Sequence, residues 1–149
     1  MLVKILNEGL TKQIQEIFDG QLIHPVELLF FFENDTCDTC DETERLLDEI
    51  SSLSSKIQVR KYDMGHNQPA TEKYHIHKAP GLVIAGGGPA GTEDYGIRFT
   101  GIPSGYEFGS LIQAIIMVSK RDSALKPAVR KELTGLTKPV HLKVFVTPT

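Results

Sequence analysis

Val26-Glu27-Leu28-Leu29-Phe30-Phe31-Phe32-Glu33-Asn34-Asp35-Thr36-Cys37-Asp38-Thr39-Cys40 is the stretch that decides the fold. Its first seven residues are apolar almost throughout, the pattern of a strand buried on both faces. Its last four hold the chain's 2 cysteines at C-x-x-C spacing. Beyond them Leu46, Leu47, Ile50 and Leu53 fall on one stripe at helical period. Thr36 reads as the N-cap of that helix, and Asp38, Asp41, Glu42 and Glu44 suit the positive end of its dipole. A strand that delivers a C-x-x-C to the first turn of a helix is an arrangement for thiol–disulfide exchange. The unpaired backbone N–H groups there favour a thiolate.

Working outward, Leu6, Leu10, Ile14 and Ile17 recur at helical spacing, and Gly20 and Pro25 end the segment, so a helix is predicted near 8–19. Ile57 to Asp63 alternates with period two and reads as a strand. Asn67 to His75 is a short helix with Pro69 in its first turn. Leu82-Val83-Ile84-Ala85 and Ile97-Arg98-Phe99-Thr100-Gly101 are two strands of a hairpin, joined by a loop over Gly86–Gly91. Residues 105–119 form a helix with Phe108, Leu111, Ile112, Ile115 and Ile116 inward. The order is therefore α-β-α-β-α-β-β-α, an α/β fold whose parallel pair needs a right-handed crossover. Residues 123–133 read as a further helix. Pro139 to Thr149 reads as a fresh strand resembling residues 25–36, an internal repeat whose second copy stops before any second cysteine pair.

Bulk properties narrow the function. The 149 residues make one ordinary domain or one domain plus a fragment. A net charge of −3 gives no electrostatic case for nucleic acid. No apolar stretch reaches the length of a membrane span. The start, Met1-Leu2-Val3-Lys4, lacks a signal-peptide layout, since Asn7 and Glu8 interrupt any apolar core. A cytoplasmic location is expected, where paired cysteines are more often catalytic or metal-binding than structural.

Cys37 is the expected nucleophile, with Cys40 one turn along to resolve a mixed disulfide. Glu33, Asp35, Asp38, Asp41 and Glu42 oppose thiol ionisation and lean the pair towards a reductant. Ordinary helix-start chemistry explains the same acids equally well. His24, His66, His75, His77 and His141 have no close relation to the cysteines, so surface roles are expected for them, with His75 and His77 on one face of a strand. No metal is expected, although two chains sharing a cluster through Cys37 and Cys40 is an alternative. The Gly86–Gly91 run lacks the lysine and hydroxyl residue of a P-loop and does not lead into a helix.

Taken together, these stretches resemble the amino-terminal unit of the tandem protein disulfide oxidoreductases, also called glutaredoxin-like proteins. The likeness lies in Val26–Phe32 leading to Cys37-Asp38-Thr39-Cys40, in Tyr62-Asp63, in Glu72–Ile76 and Ala79-Pro80, and most of all in Asp94–Phe108. It implies a thioredoxin-like fold: a central mixed sheet flanked by helices, with an extra N-terminal helix and a C-terminal helix-strand extension. Residues 1–120 are the thioredoxin-like unit, 121–138 a connecting helix, and 139–149 the first strand of a truncated second unit. The resemblance also implies a cis Ala79–Pro80 bond beside the cysteines. Ala79 and Pro80, with Thr36, then make up the substrate-binding set. Exchange on protein disulfides, a thioredoxin-reductase-like electron donor, and no cofactor beyond the cysteine pair are the implied function. The buried aspartate and lysine of thioredoxins proper are replaced by Phe31 and Val59, leaving Glu33 as a substitute candidate. The alternative is a redox-inactive docking or scaffold unit whose activity lies in a second unit. The unpaired Val140–Val146 strand is expected to add to a sheet edge, in its own chain or in a dimer.

Overall fold

The computed structural model describes residues 4–147. The first three residues, read above as part of a start without a signal-peptide layout, lie outside them, as do the last two of the expected C-terminal strand. The elements are α1 (Glu8–Gln21), β1 (Val26–Phe32), α2 (Cys40–Ser52), β2 (Ile57–Asp63), α3 (Gln68–Lys73), β3 (Gly81–Gly86), β4 (Glu93–Thr100), α4 (Tyr106–Lys120) and α5 (Pro127–Leu133). The four strands form one sheet in the order β2-β1-β3-β4. β1 runs parallel to β2 and antiparallel to β3, and β3 is antiparallel to β4. This is the thioredoxin-like α/β architecture that the element order predicts, with α1 added in front.

β1 lies inside the sheet, which is why its sequence is apolar on both faces. Val26, Leu28 and Phe30 point into the larger core, with Ile14 and Phe18 of α1, Leu46, Leu47 and Ile50 of α2, and Leu111 and Ile115 of α4. Leu29 and Phe31 point the other way, onto Tyr74, Ile76, Val83 and Ala85, with Tyr62 beside them. Phe31 stacks on Tyr62 at 5.0 Å between ring centroids.

The polar residue of β1, Glu27, is only 5% exposed. Its Oε1 meets the Arg60 guanidinium at 2.8 Å and its Oε2 accepts from the Thr92 hydroxyl, so one carboxylate ties β1 to β2 and to the start of β4. Both oxygens are partnered, which is the condition for burying a charge.

Two close approaches explain two glycines. A Cβ on Gly81 would lie 2.6 Å from Ile76 Cγ2. One on Gly86 would lie 2.7 Å from the Arg121 guanidinium carbon. Arg121 closes α4 in a left-handed conformation and donates to the carbonyls of Val118, Pro25 and Gly87. Ser119 adds a second lock: its hydroxyl donates to His24 O at 2.7 Å and accepts from Ile23 N at 2.8 Å. The end of α4 thereby fixes the entry into β1. At the other flank, Glu49 of α2 accepts from the amides of Ile5 and Leu6 at 2.7 and 2.9 Å.

Four expectations change. β4 begins at Glu93 rather than at Ile97, because Asp94-Tyr95-Gly96 forms a bulge where the pairing jumps between Ile84 and Ala85. Gly96 has φ +81, and Asp94 accepts from its amide at 2.9 Å. Asp94 also takes a two-pronged contact from Arg98 at 2.8 and 2.6 Å, which holds its carboxyl below the usual range. His75 and His77 share no strand: both are exposed in the segment after α3, where His75 has φ +53. The helix expected at 123–133 is the shorter α5 (Pro127–Leu133), starting at its proline. Lastly, residues 139–147 carry no strand, and Leu142, Val144 and Phe145 are 85%, 84% and 90% exposed. An apolar alternating run without a sheet edge beside it has no ladder to join.

Candidate active site

The cysteines lie between β1 and α2, at the end of the sheet to which the parallel strands point. β1 ends at Phe32, and residues 33–36 turn before the pair, with Asn34-Asp35-Thr36 supplying turn chemistry. The helix starts later than the sequence suggests. α2 opens at Cys40 with Thr39 as N-cap, so Cys37 precedes the first turn rather than occupying it. Thr36 is not the cap, because its hydroxyl is taken by Glu33 Oε2. Thr39 makes no side-chain cap bond. Its carbonyl accepts instead from the Thr43 amide at 2.9 Å and from the fully buried Thr43 hydroxyl at 2.7 Å. The first N–H groups of α2 are therefore left open towards the cysteine loop.

Cys37 and Cys40 form a disulfide. Their surroundings differ. Cys40 is 5% exposed and belongs to the main core, whereas Cys37 is partly exposed at its edge. Beneath the pair the base is aromatic, with Phe30 and Phe32 stacked at 5.7 Å.

Ala79–Pro80 is a cis peptide bond. Pro80 is buried and its carbonyl accepts from Gly101 N at 2.9 Å, while Ala79 is partly exposed against the same core cluster as Cys37. Thr36 is exposed on the rim. Of the expected set, Thr36, Cys37, Ala79 and Pro80 lie in the two loops at this end of the sheet, and Cys40 is the first residue of α2.

Phe31 and Val59, expected at the places of the aspartate and lysine of thioredoxins proper, lie on opposite faces of the sheet. Phe31 sits in the smaller core and Val59 against the larger. They are not two halves of one vacated charge pair. On the cysteine side the neighbouring β2 position is Lys61, turned outward to Glu44 and Asp48 at 2.7 and 2.9 Å, which leave its ammonium with a raised pKa against the opposing effect of burial. Glu33 is half-buried and engaged with Thr36.

Sequence reasoning missed Asp63, the last residue of β2. Its carboxylate gathers Asn34 Nδ2 at 3.1 Å, Gly65 N at 2.9 Å and His66 Nδ1 at 2.8 Å. The His66 bond, and then the Gly65 amide, hold its carboxyl below the usual range. The signal was present in Asp63-Met64-Gly65, an Asx-turn signature, but the partner Asn34 is 29 residues away.

Comparison with known proteins agrees with this geometry. No family model matches the chain. A protein disulfide oxidoreductase from Aeropyrum pernix K1 superposes with a TM-score of 0.83 over 99% of this chain and 62% of its own, at 23% identity. The NTD_N/C domain of alkylhydroperoxide reductase AhpF from Enterococcus faecalis gives 0.77 over 89% of this chain and 62% of its own, at 30% identity. The corresponding alkyl hydroperoxide reductase protein of Staphylococcus epidermidis, also an AhpF, is 32% identical over 145 residues, which is 97% of this chain and 25% of that protein. The chain thus spans about a quarter of the length of that curated relative. No described helix is long and apolar enough to cross a membrane. Fold, disulfide and likeness together show a thioredoxin-fold unit with a Cys37–Cys40 pair, similar to part of the alkyl hydroperoxide reductase AhpF.

Proposed function

We propose that the chain exchanges its Cys37–Cys40 disulfide with the disulfides of protein substrates. The observation that carries this reading is the asymmetry of the pair: Cys37 reaches the surface at the open start of α2, and Cys40 is buried behind it. In the reducing direction the Cys37 thiolate attacks one sulfur of a substrate disulfide. The Cys37–substrate bond forms, the substrate S–S bond breaks, and one substrate thiolate leaves. Cys40, deprotonated, then attacks Cys37 Sγ, releasing the second substrate thiolate and closing the Cys37–Cys40 disulfide. Two electrons pass to the substrate, and the cysteines themselves carry them.

Pro80 shapes the groove beside the pair, Ala79 offers its backbone groups to an extended substrate segment, and Thr36, whose hydroxyl donates to Glu33, offers its oxygen as an acceptor. A thioredoxin-reductase-like donor returns the electrons. The support for such a relay is the likeness to the alkyl hydroperoxide reductase AhpF, and a reducing cytoplasmic setting fits it. On the same reading, residues 139–149 would pair as the first strand of a second unit once that unit supplies a sheet edge, which accounts for the exposed side chains of Leu142, Val144 and Phe145. A dimer formed through that strand is the other way to cover them. The competing view, a redox-inactive docking unit, draws on the chain's quarter share of its relative.

A mixed-disulfide trap separates the two. Cys40→Ser is expected to hold disulfide-bearing proteins covalently through Cys37, as adducts that dithiothreitol releases. Adducts no more abundant than those of Cys37→Ser/Cys40→Ser would favour docking.

A further inference from the structure

We infer that Asp63 is a positioning residue for the cysteine pair, acting through Asn34 on the loop that carries Cys37. The inference rests on the exchange reading above. Residues 33–36 form the approach to Cys37, and their other side-chain hydrogen bond, Thr36 to Glu33, stays within the loop. Among the described residues, Asn34 Nδ2 to Asp63 Oδ2 at 3.1 Å is the hydrogen bond that ties this approach to another element.

The anchor at the far end is firm. Asp63 closes β2 in register with Phe32, and Met64 N donates to Phe32 O at 2.9 Å. The Asp63 carbonyl accepts from the amides of His66 and Asn67 at 3.1 and 2.9 Å and from Asn67 Nδ2 at 3.1 Å. Its carboxylate oxygens are oriented by Gly65 N and His66 Nδ1. A carboxylate so fixed presents an ionised acceptor to Asn34, and a charge-assisted bond is stronger than a neutral one.

The consequence is redox poise. Cys40 is held by α2 and the core, whereas Cys37 depends on its loop. A tether that keeps Cys37 near Cys40 after the sulfur–sulfur bond opens raises the effective concentration of one thiol at the other. That shifts the equilibrium with glutathione towards the disulfide. Loosening the tether makes the pair easier to reduce.

The test is the thiol–disulfide equilibrium of the full chain in glutathione buffers, read by alkylation and mass, with far-UV circular dichroism as a check on folding. Asn34 is exposed, so its substitution does not strip the core. Asn34→Ala is expected to lower the equilibrium constant for the disulfide about threefold. Asn34→Asp sets two carboxylates against each other and is expected to lower it about tenfold, roughly 30 mV for a two-electron couple.

Asp63→Asn alone has a mild effect, because the Asn34 amide can turn and accept from the new amide. Asn34→Asp/Asp63→Asn restores a donor–acceptor pair with the wild-type net charge, and is expected within about twofold of Asp63→Asn. An Asn34→Asp shift that persists undiminished in the Asp63→Asn background overturns the inference, since it would then not run through Asp63. So does an equilibrium that neither Asn34 variant moves by more than about 1.5-fold. A wild-type chain with no reversible couple overturns the exchange reading itself, and the tether with it.

Discussion

Cys37→Ser is expected to lower the rate of insulin-disulfide reduction, measured with dithiothreitol as donor, by on the order of a thousandfold or more relative to the background-corrected rate of the wild type. The nucleophile in disulfide exchange is a thiolate, and a serine hydroxyl does not replace it at neutral pH. The remaining thiol cannot take over. Cys40 is 5% exposed, and attack requires a sulfur that can approach the substrate disulfide from outside the fold. Cys40→Ser should behave differently. It keeps the attacking sulfur, so a single turnover with excess substrate disulfide is expected to release one equivalent of thiolate, while Cys37→Ser releases none. Equal bursts from the two variants would contradict the assignment of roles, because the attacking sulfur could then be either one.

The second large effect lies in the core under the site. Phe30→Ala is expected to destabilise the fold by about 3–5 kcal/mol. Phe30 is fully buried in the central strand, against the helices on the larger face, and its ring stacks on Phe32. Removing it empties a space that β1, held by β2 and β3 on its two sides, cannot collapse to fill. Against a total of about 5–15 kcal/mol for an ordinary domain, that is a large fraction. In urea, with a slope of roughly 2 kcal/mol per M, the midpoint should fall by roughly 2 M. Tyr106→Ala provides the contrast. This aromatic side chain at the start of α4 is 87% exposed, and its loss should change stability by no more than about 0.5 kcal/mol. A Phe30→Ala midpoint as small in its shift as that of Tyr106→Ala would mean that the aromatic base does not support the strand that carries the cysteine loop.

The parts of the molecule governed by periodicity were legible in the sequence. Val26–Phe32 is apolar on both faces because it lies inside the sheet, and the α2 stripe of Leu46, Leu47 and Ile50 faces the core. Those two patterns, with the spacing of the cysteines, were enough to place the pair between β1 and α2, while the mixed sheet was an implication of the family resemblance. The details that escaped depend on which partners the side chains find, some close by and some far away in the chain. The start of α2 moved from the expected first turn around Cys37 to Cys40 because Thr36 finds Glu33 and residues 33–36 turn first. β4 ran four residues further back than its alternation suggested because Asp94-Tyr95-Gly96 bulges instead of turning away from the sheet. Glu27 looked like an interruption in an apolar run, and only the fold supplies Arg60 and Thr92. Asp63 carried a local turn signature, but its reach to Asn34 crosses from one strand end to the next. For Val140–Val146 the alternation is that of a strand, and the described chain gives it no neighbour to pair with.

The central claim is that Cys37 and Cys40 interconvert between disulfide and dithiol under conditions a cell maintains. A redox titration of the wild-type chain across dithiothreitol and glutathione buffers, with the two cysteines read by alkylation and mass, addresses it most directly. The expected result is one reversible two-electron couple between about −180 and −330 mV, with its position within that range assigning the pair as the more oxidising or the more reducing kind. Cysteines that stay oxidised across the whole range would contradict the claim and leave the disulfide as a structural link, and cysteines that stay reduced would contradict it by leaving no disulfide to exchange.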